Sequence, residues 1–600
     1  MEPYKQLYYN ILIYRTPLKQ ETQILKCTFE KEHFSKVKAA FKDRWPVVYI
    51  IEDDEKGQAY IGESTNICTR ICDHWNNTER RALKNIYIIF NKVFNKSVIL
   101  DLEAFLIGYI VADGKYRLQN GNGGQHVHNY YLRDEYQREF RHIWQLLQDE
   151  GVVRHGITLL ENQDLFKYSP YKILNLDQFN VAVQILTDLK YDLGNNNQSR
   201  SFIIDGGAGT GKSILGIYLL KLLIDAESSP AWTAEEEALD ENLSYIIGHL
   251  SPNLRVGYVV PTQSFRETLK KVFDGIQGLD SKMVLSPEDV ANSGEGLYDL
   301  LIVDESHRLR RRRALFNYGS YDKANKALEL DEEATELDWI LKKSRYQLFF
   351  YDSRQSVKPS DVEALRFFSL SQQEDTRNYK LTSQMRCKGG NDYIEYINNI
   401  LECQQEEMLT FGSSYELLLF EDVEDMVSAI KEKNNKMGLC RNMAGYAWPW
   451  KTHKMKLSKI QKEGLYDIEI ENKYEVNNAH KYIWNTTQRD WINSENSINE
   501  IGCIHTTQGY DLNYAGVIIG WEIDYDPINN IITVSKDMYQ DAKGKEKVDE
   551  KILRNYIKNI YATLLERGMY GTYIYGHCPP FCVNRKLQDS GFILESCFQI

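Results

Sequence analysis

Three groups of residues in this 600-residue chain have the types and spacing to do chemistry. The first is the run Gly206, Gly207, Ala208, Gly209, Thr210, Gly211, Lys212, Ser213, which fits G-x-x-x-x-G-K-[ST] in full. It lies between the apolar stretch "SFIID" and the helical pattern "SILGIYLLKLLID". In that setting the glycines let backbone N–H groups close around phosphates, and a helix start adds a favourable dipole. Lys212 is then placed to reach the β- and γ-phosphates, and Ser213 to hold Mg2+. The second group is "LLIVDESH", an apolar strand ending in Asp304 and Glu305. A strand-terminal Asp can hold Mg2+ through water, and the Glu beside it can orient the attacking water. Together these two groups imply hydrolysis of a nucleoside triphosphate, and leave its purpose open.

The third group lies near the front, in "AYIGESTNICTRICDHW" and its surroundings. Cys68, Cys72 and His74 suggest half of a zinc site, but helical geometry argues otherwise. Residues four apart share a helix face, so Cys68 pairs with Cys72 and Arg70 with His74. The two pairs are offset by two residues and face opposite ways. Two thiols do not close a tetrahedral zinc site. The cysteines therefore read as a buried stripe with Ile67 and Ile71, and Arg70 and His74 as the outward one. Tyr49 and Tyr60 precede this helix in an expected hairpin, and Glu103 and Asn120 follow it.

The elements that must position these residues are legible as patterns. "PVVYII" reads as a strand ended by the turn "EDDEKG", with "QAYIG" pairing back as the second arm. Residues 64–75 and the apolar segment around Glu103 read as helices, and 126–165 as a helical connector. From 166 onward short apolar strands alternate with helices, which predicts parallel α/β layers in two tandem units. The expected boundaries are an accessory segment at 1–45, a small α+β domain at 46–125, the connector at 126–165, and two α/β domains at 166–380 and 381–600. The last is expected to carry an insertion at about 445–500.

Composition sets limits on all of this. A hydrophobic share of 42% and a charged share of 26% describe a folded globular protein. No stretch is long and apolar enough to span a membrane, so no membrane partner is expected. Ten scattered cysteines and no visible secretory signal suit a reducing, cytoplasmic setting. The net charge of −13 argues against coating nucleic acid by bulk electrostatics. The short basic run "RLRRRR" at 308–313 reads equally well as a contact to phosphate backbone or an acidic partner, or as a solvated loop balanced by "ELDEEATELD" at 329–338. Trp448 and Trp450 fit a core better than a stacking platform.

Around the glycine run stand further segments in a fixed order: "NLDQFN", "VVPTQSF", "YDSRQSV", "LTSQMRC", "CIHTTQGYDLNYAGVIIG" and "YATLLERGMYGTYIYG". This order resembles the motifs of superfamily 1 helicases, and most of all the bacterial NTPases related to the helicase region of Schlafen proteins. The resemblance implies two tandem RecA-like domains with ATP as cofactor. It implies an adenine-reading Gln178, a coupling Gln355, a nucleotide-side Gly509, and arginine fingers Arg386 and Arg567 reaching across from the second α/β unit. Glu566 stands where a Thr is usual, beside Arg567.

The front segment, with "VVY" at 47–49, "YIG" at 60–62, Arg70, His74, Glu103 and Asn120, resembles the GIY-YIG endonucleases. Val47 and Val48 replace the expected Gly and Ile, while Tyr49 is kept. That resemblance implies Glu103 as the single ligand of Mg2+ or Mn2+. Tyr49, with Tyr60 and His74, would activate water, Arg70 would hold the phosphate and Asn120 would orient the site. The combined expectation is an ATP-driven nucleic-acid motor fused to a metal-dependent endonuclease, with DNA favoured over RNA and a use in bacterial defence against foreign DNA. Self-association or a partner protein is left open. The alternative is a nucleic-acid- or partner-sensing NTPase switch whose front domain binds without cutting.

Overall fold

The computed structural model describes residues 22–41, 44–120, 130–170, 174–194, 200–228, 254–276, 278–294, 296–315, 317–404, 409–411, 415–472, 474–475, 478–487, 491–507 and 510–576. The chain divides into two compact units. One holds 1–175 with 217–250 and 272–279, and the other holds 176–216, 251–271 and 280–600.

The first unit is built on a five-stranded sheet ordered β1-β4-β2-β3-β5. Its strands are β1 (Gln23–Thr28), β2 (Val47–Asp53), β3 (Gln58–Ser64), β4 (Asn85–Phe90) and β5 (Arg117–Leu118). β2 and β3 form the expected antiparallel hairpin, with Tyr49 opposite Gly62. β2 is buried along its whole length, because it has a strand on either side and helices to pack against. Its Val47 is fully buried, so the valine that replaces a glycine sits in the apolar core with Phe29, Phe34, Phe41, Ile67 and Ile71. This corrects the expected boundary at 45. β1 pairs with β4, and Phe29, Phe34 and Phe41 are core residues, so the segment from 23 belongs to the sheet. The expected connector also packs as part of this unit. Helix Arg133–Asp149 sets Phe140 and Trp144 against Phe105 of helix Lys96–Asp113, and Arg133 and Gln137 bind its Asp101.

The second unit holds two parallel sheets, as the alternation of strands and helices predicts. One is ordered β11-β6-β10-β9-β7-β8, from β6 (Arg200–Gly206), β7 (Val256–Val259), β8 (Val284–Leu285), β9 (Tyr298–Val303), β10 (Ser344–Tyr351) and β11 (Thr376–Leu381). β10 lies between β6 and β9 in parallel register, with Tyr351 opposite Asp205 and Phe349 opposite Val303. Parallel register brings the C-terminal ends of all three strands to one edge, where the glycine run, Asp304 and Asp352 follow them. The other sheet is ordered β12-β20-β17-β13-β16, from β12 (Glu416–Phe420), β13 (Arg441–Ala444), β16 (Ile501–Gly502), β17 (Leu512–Ile519) and β20 (Gly568–Gly576). Two antiparallel hairpins leave it: β14 (Ile468–Glu471) with β15 (Ala479–Tyr482), and β18 (Ile523–Asp526) with β19 (Ile531–Val534). The first occupies the stretch expected as an insertion, and the second has no counterpart in the expectation. Trp448 is buried and Trp450 packs partly into the same core, which settles both as structural. Among the described residues no helix is long and apolar enough to cross a membrane.

Candidate functional sites

The phosphate-binding turn leaves β6 at Gly206 and enters helix Lys212–Ser228. Gly209 and Gly211 both have φ of +77°, a conformation that a side chain would strain. Each also has a side chain against it: Gln384 and Arg386 at Gly209, and Gln178 at Gly211. Gln178 is buried and its Nε2 donates to Thr210 O at 3.0 Å, so the expected adenine reader also braces the turn. Thr210 Oγ1 donates to Gly207 O at 3.0 Å. Gln384 Nε2 donates to Ala208 O at 2.7 Å, and Met385 N to Gly209 O at 2.8 Å. Lys212 is folded back onto the turn, donating to Gly206 O at 2.5 Å and Gly207 O at 2.9 Å, with Asp352 3.8 Å away.

Asp304 is fully buried at the end of β9, where Tyr258 donates to its Oδ2 at 2.9 Å and the Ser213 hydroxyl bonds it as well. Burial and the neighbouring Glu305 push the Asp304 carboxyl up. Glu305 has φ of +49°, an unfavourable left-handed conformation for a glutamate, which turns its side chain to His307 at 2.9 Å. Burial works against its charge, but His307, Lys212 and Arg567 outweigh it and hold the carboxylate ionised. A serine hydroxyl meeting a buried aspartate, beside an ionised glutamate, is an oxygen donor set that suits Mg2+.

Gln355 is buried and bonds Asp352 at 2.7 Å, so it meets the phosphate turn through the acid that also faces Lys212. Arg567 is 2% exposed and donates to Tyr510 O at 3.2 Å, and its charge reaches Glu305. Arg386 arrives by a different route from the expected reach across the cleft. It follows β11 of the first parallel sheet, its Cβ lies against Gly209, and its guanidinium pairs with Asp511. Glu566 is enclosed among Arg354, Arg567 and Arg386, and burial still pushes it up to about 7. Gly509 lies outside the described residues. Asp352, Arg354, Gln384 and His307 were not singled out from the sequence. Asp352 alone carried a signal, as an acid at the end of a buried apolar strand.

Acids do pair with most of the arginine run, but only Glu336 comes from the expected stretch 329–338, and Arg308 is buried rather than solvated. Arg308 pairs with Asp361 at 2.8 Å, Arg310 with Glu336 and Glu288, Arg311 with Glu363, and Arg312 with Asp322 at 2.7 Å. Arg313 donates to Lys547 O.

In the first unit the front residues converge. Tyr49 is fully buried and bonds His74 Nε2 at 2.6 Å, and the ring centroids of Tyr60 and His74 are 4.9 Å apart. The outward face expected for His74 is corrected. It is 0% exposed, because the helix face with Arg70 and His74 covers the sheet's tyrosines, while Cys68 and Cys72 are only half-buried. Arg80 Nη1 meets His74 Nδ1 at 2.9 Å and stacks 4.0 Å above the Tyr60 ring. A guanidinium only donates, so Nδ1 accepts. Burial, with Arg80 and Arg70, lowers His74 to about 3, so the ring is neutral and its proton sits on Nε2. Nε2–H therefore donates to the Tyr49 oxygen, and Arg70 reaches the same hydroxyl. Arg80 lay beyond the expected motif, six residues after His74.

Gly62 cannot carry a side chain, since a Cβ there would lie 2.3 Å from the Tyr49 hydroxyl. Asn120 clamps the strand beside it. Its Oδ1 accepts from Ile61 N at 3.0 Å and its Nδ2 donates to Ile61 O at 2.8 Å. Glu103 accepts from the backbone of Glu63, and burial with the Glu63 charge pushes its carboxyl up to about 8. Glu63 pairs with Lys96 through Oε1, while its buried Oε2 has no hydrogen-bond partner among the described residues. Two adjacent carboxylates, one with an unsatisfied oxygen, fit a hard divalent cation. No group of three or more His, Cys, Asp or Glu able to hold a metal occurs among the described residues.

Residues 199–577 match the Schlafen group 3, DNA/RNA helicase domain. The chain belongs to the Schlafen group 3 helicase family. This helicase-domain match begins just before β6 and ends one residue after β20, so it spans both parallel sheets. The chain is also similar to the uncharacterized protein YPL245W of Saccharomyces cerevisiae, 25% identical over 420 residues, which cover 63% of this chain and 82% of that protein. Among solved structures, a Pif1 helicase from Bacteroides in complex with ADP-AlF3 and ssDNA matches at 12% identity and a TM-score of 0.25, covering 67% of this chain and 92% of that one. Arterivirus nonstructural protein 10, a helicase, matches at 11% identity and a TM-score of 0.25, covering 66% and 61%.

Proposed function

We propose that this protein is an ATP-driven nucleic-acid motor that carries a metal-dependent DNA endonuclease at its front. The motor reading rests on membership of a helicase family and on one arrangement. Lys212, Ser213, Asp304 and Glu305 meet at the edge of one sheet, and Arg567, from the other sheet's strand entry, is close enough for its charge to act on Glu305. Lys212 and the turn's N–H groups would bind the triphosphate, with Mg2+ held by Ser213 and Asp304 and neutralising the phosphates. Glu305, held ionised, accepts a proton from the attacking water. Arg567 supplies the charge that a transferring phosphoryl group requires.

The nuclease reading rests on the convergence of Tyr49, Tyr60, Arg70, His74 and Glu103, with Asn120 holding the strand between them. A divalent ion, Mg2+ or Mn2+, held by Glu103 would supply charge stabilisation for phosphodiester cleavage. Arg70 and Arg80 offer guanidiniums to the phosphate. Neutral His74 and Arg70 both donate to the oxygen of the buried Tyr49, which orients these two side chains toward each other.

Labelled linear and branched DNA and RNA, incubated with Mg2+ in the presence and absence of ATP, test both halves. Wild type should hydrolyse ATP and cut DNA. Glu103→Ala should keep ATP hydrolysis and lose cutting, and Lys212→Ala should lose hydrolysis. ATP hydrolysis without any cutting by wild type would leave the sensing-switch reading in its place.

A further inference from the structure

We propose that Arg354 binds the terminal phosphate of the nucleoside triphosphate, from a seat that Gly207 leaves open in the phosphate-binding turn. The inference deepens the motor reading and rests on it. Gly207 occupies a free position of G-x-x-x-x-G-K-[ST], so the motif does not ask for glycine there. The backbone does not ask for it either, because only Gly209 and Gly211 of the turn have positive φ. A Cβ there would lie 2.7 Å from Arg354 Nη2, the end of a flexible side chain, so the glycine leaves Arg354 room to lie against the turn and a methyl would push it aside.

Arg354 reaches the turn by a short route. β10 runs beside β6, and the backbone N–H of Arg354 is held by Asp352 Oδ1 at 3.1 Å just beyond β10's end. The guanidinium itself is only loosely held. It makes no ion pair closer than Asp352 at 4.0 Å among the described residues, although the buried Glu566 also feels its charge, and Asp352 already accepts from Gln355 at 2.7 Å and faces Lys212 at 3.8 Å. Its side chain is 52% exposed, against 16% for Arg386, which is ion-paired to Asp511. Arg567 is buried against Tyr510 O. Among the arginines described around the turn, Arg354 is thus the one an incoming anion can recruit without breaking a close ion pair, beside Lys212 of the turn itself. A planar guanidinium beside a ring of N–H donors suits two oxygens of one phosphate. Because Arg354 and the turn stand on the same sheet, this contact forms without any movement of the second sheet. Its effect belongs to binding and to telling a triphosphate from a diphosphate.

The test is the affinity of fluorescent ATP and ADP analogues for full-length wild type, Arg354→Ala, Arg354→Lys and Gly207→Ala, with kcat and KM for ATP hydrolysis beside it. Arg354→Ala should weaken the triphosphate about 10-fold or more and leave the diphosphate nearly unchanged. Gly207→Ala keeps the arginine but displaces it, and should move the same ratio in the same direction by less. Arg354→Lys should restore only part of the loss, and melting of the nucleotide-free variants reports whether each folds. Equal weakening of both nucleotides in a variant that melts like wild type, or no change in Arg354→Ala, would overturn the proposal. Wild type that binds neither nucleotide would instead sink the motor reading itself.

Discussion

Replacing Asn120 with alanine distinguishes a strand clamp from a residue that touches substrate. β5 pairs with β3 only at Gln58–Arg117 and Ala59–Leu118, and Gln119 N adds one more bond to Ala59 O. Beyond that point the Asn120 amide takes over as the edge partner, bonding both the N–H and the C=O of Ile61. Ile61 is fully buried, so Asn120→Ala leaves one donor and one acceptor without partners. Each costs about 1–3 kcal/mol, for about 2–6 kcal/mol together. The strand at risk carries Tyr60 and Gly62 on either side of Ile61. Global denaturation is a poor assay in a chain of several domains, so the measurement is hydrogen–deuterium exchange of the peptide spanning β3. Even the lower figure corresponds to roughly 30-fold faster exchange, with β6 as an unaffected control. Asn120→Asp keeps the acceptor for Ile61 N but sets a carboxylate oxygen against Ile61 O, and should do no better. Wild-type protection of β3 in Asn120→Ala would refute the clamp and return Asn120 to a direct role at the substrate.

Further outcomes follow from the same packing. Glu522 is 1% exposed, accepts from Tyr561 at 2.7 Å and is pushed up to about 7 by burial. The folded state then holds its proton more tightly than the unfolded chain, so stability falls as pH rises from about 4.5 to about 7. Glu522→Gln should remove that slope and raise stability above pH 7 by up to about 3 kcal/mol, read from the pH dependence of the protection of the peptide around Glu522 in hydrogen–deuterium exchange. Gly62→Ala drives a methyl into the buried Tyr49 hydroxyl and should cost about 1–3 kcal/mol, seen as a lower melting point of the front domain. Arg80→Ala frees His74 Nδ1 and should raise the histidine's pKa toward its ordinary value, measured by NMR titration. Glu305→Gln should abolish ATP turnover while nucleotide binding persists, and unimpaired turnover would remove Glu305 from the hydrolytic step.

Local pattern carried far along this chain. The glycine run, the adjacent strand-end acids and the β2–β3 hairpin are each contained in one short stretch, so local spacing alone placed them. What escaped was set by contacts between distant segments. β1 could not be recognised as part of the front sheet because its partner, β4, lies some sixty residues on. His74 read as outward because a helix wheel gives the angle between faces but does not say which face meets the sheet. Arg354, Arg80 and Gln384 are ordinary residues in the sequence, and they matter only because folding sets them against a glycine, a histidine and a P-loop carbonyl. Arg386 was named, but its route by way of β11 depends on a parallel pairing with β6 that periodicity cannot assign.

The arginine run has a consequence for how the protein meets a polyanion. A patch of unpaired guanidiniums would act as a beacon, drawing nucleic acid in from a distance and making capture fast at low salt. Here four of the five arginines are held in ion pairs that join segments, with acids drawn from 288, 322, 336, 361 and 363, and Arg313 meets a backbone carbonyl. Adding salt would loosen this stitching from within while doing little to slow encounter at this face. The most basic-looking six residues of the chain act as an internal fastener, and long-range attraction to a nucleic-acid strand has to come from elsewhere on the surface.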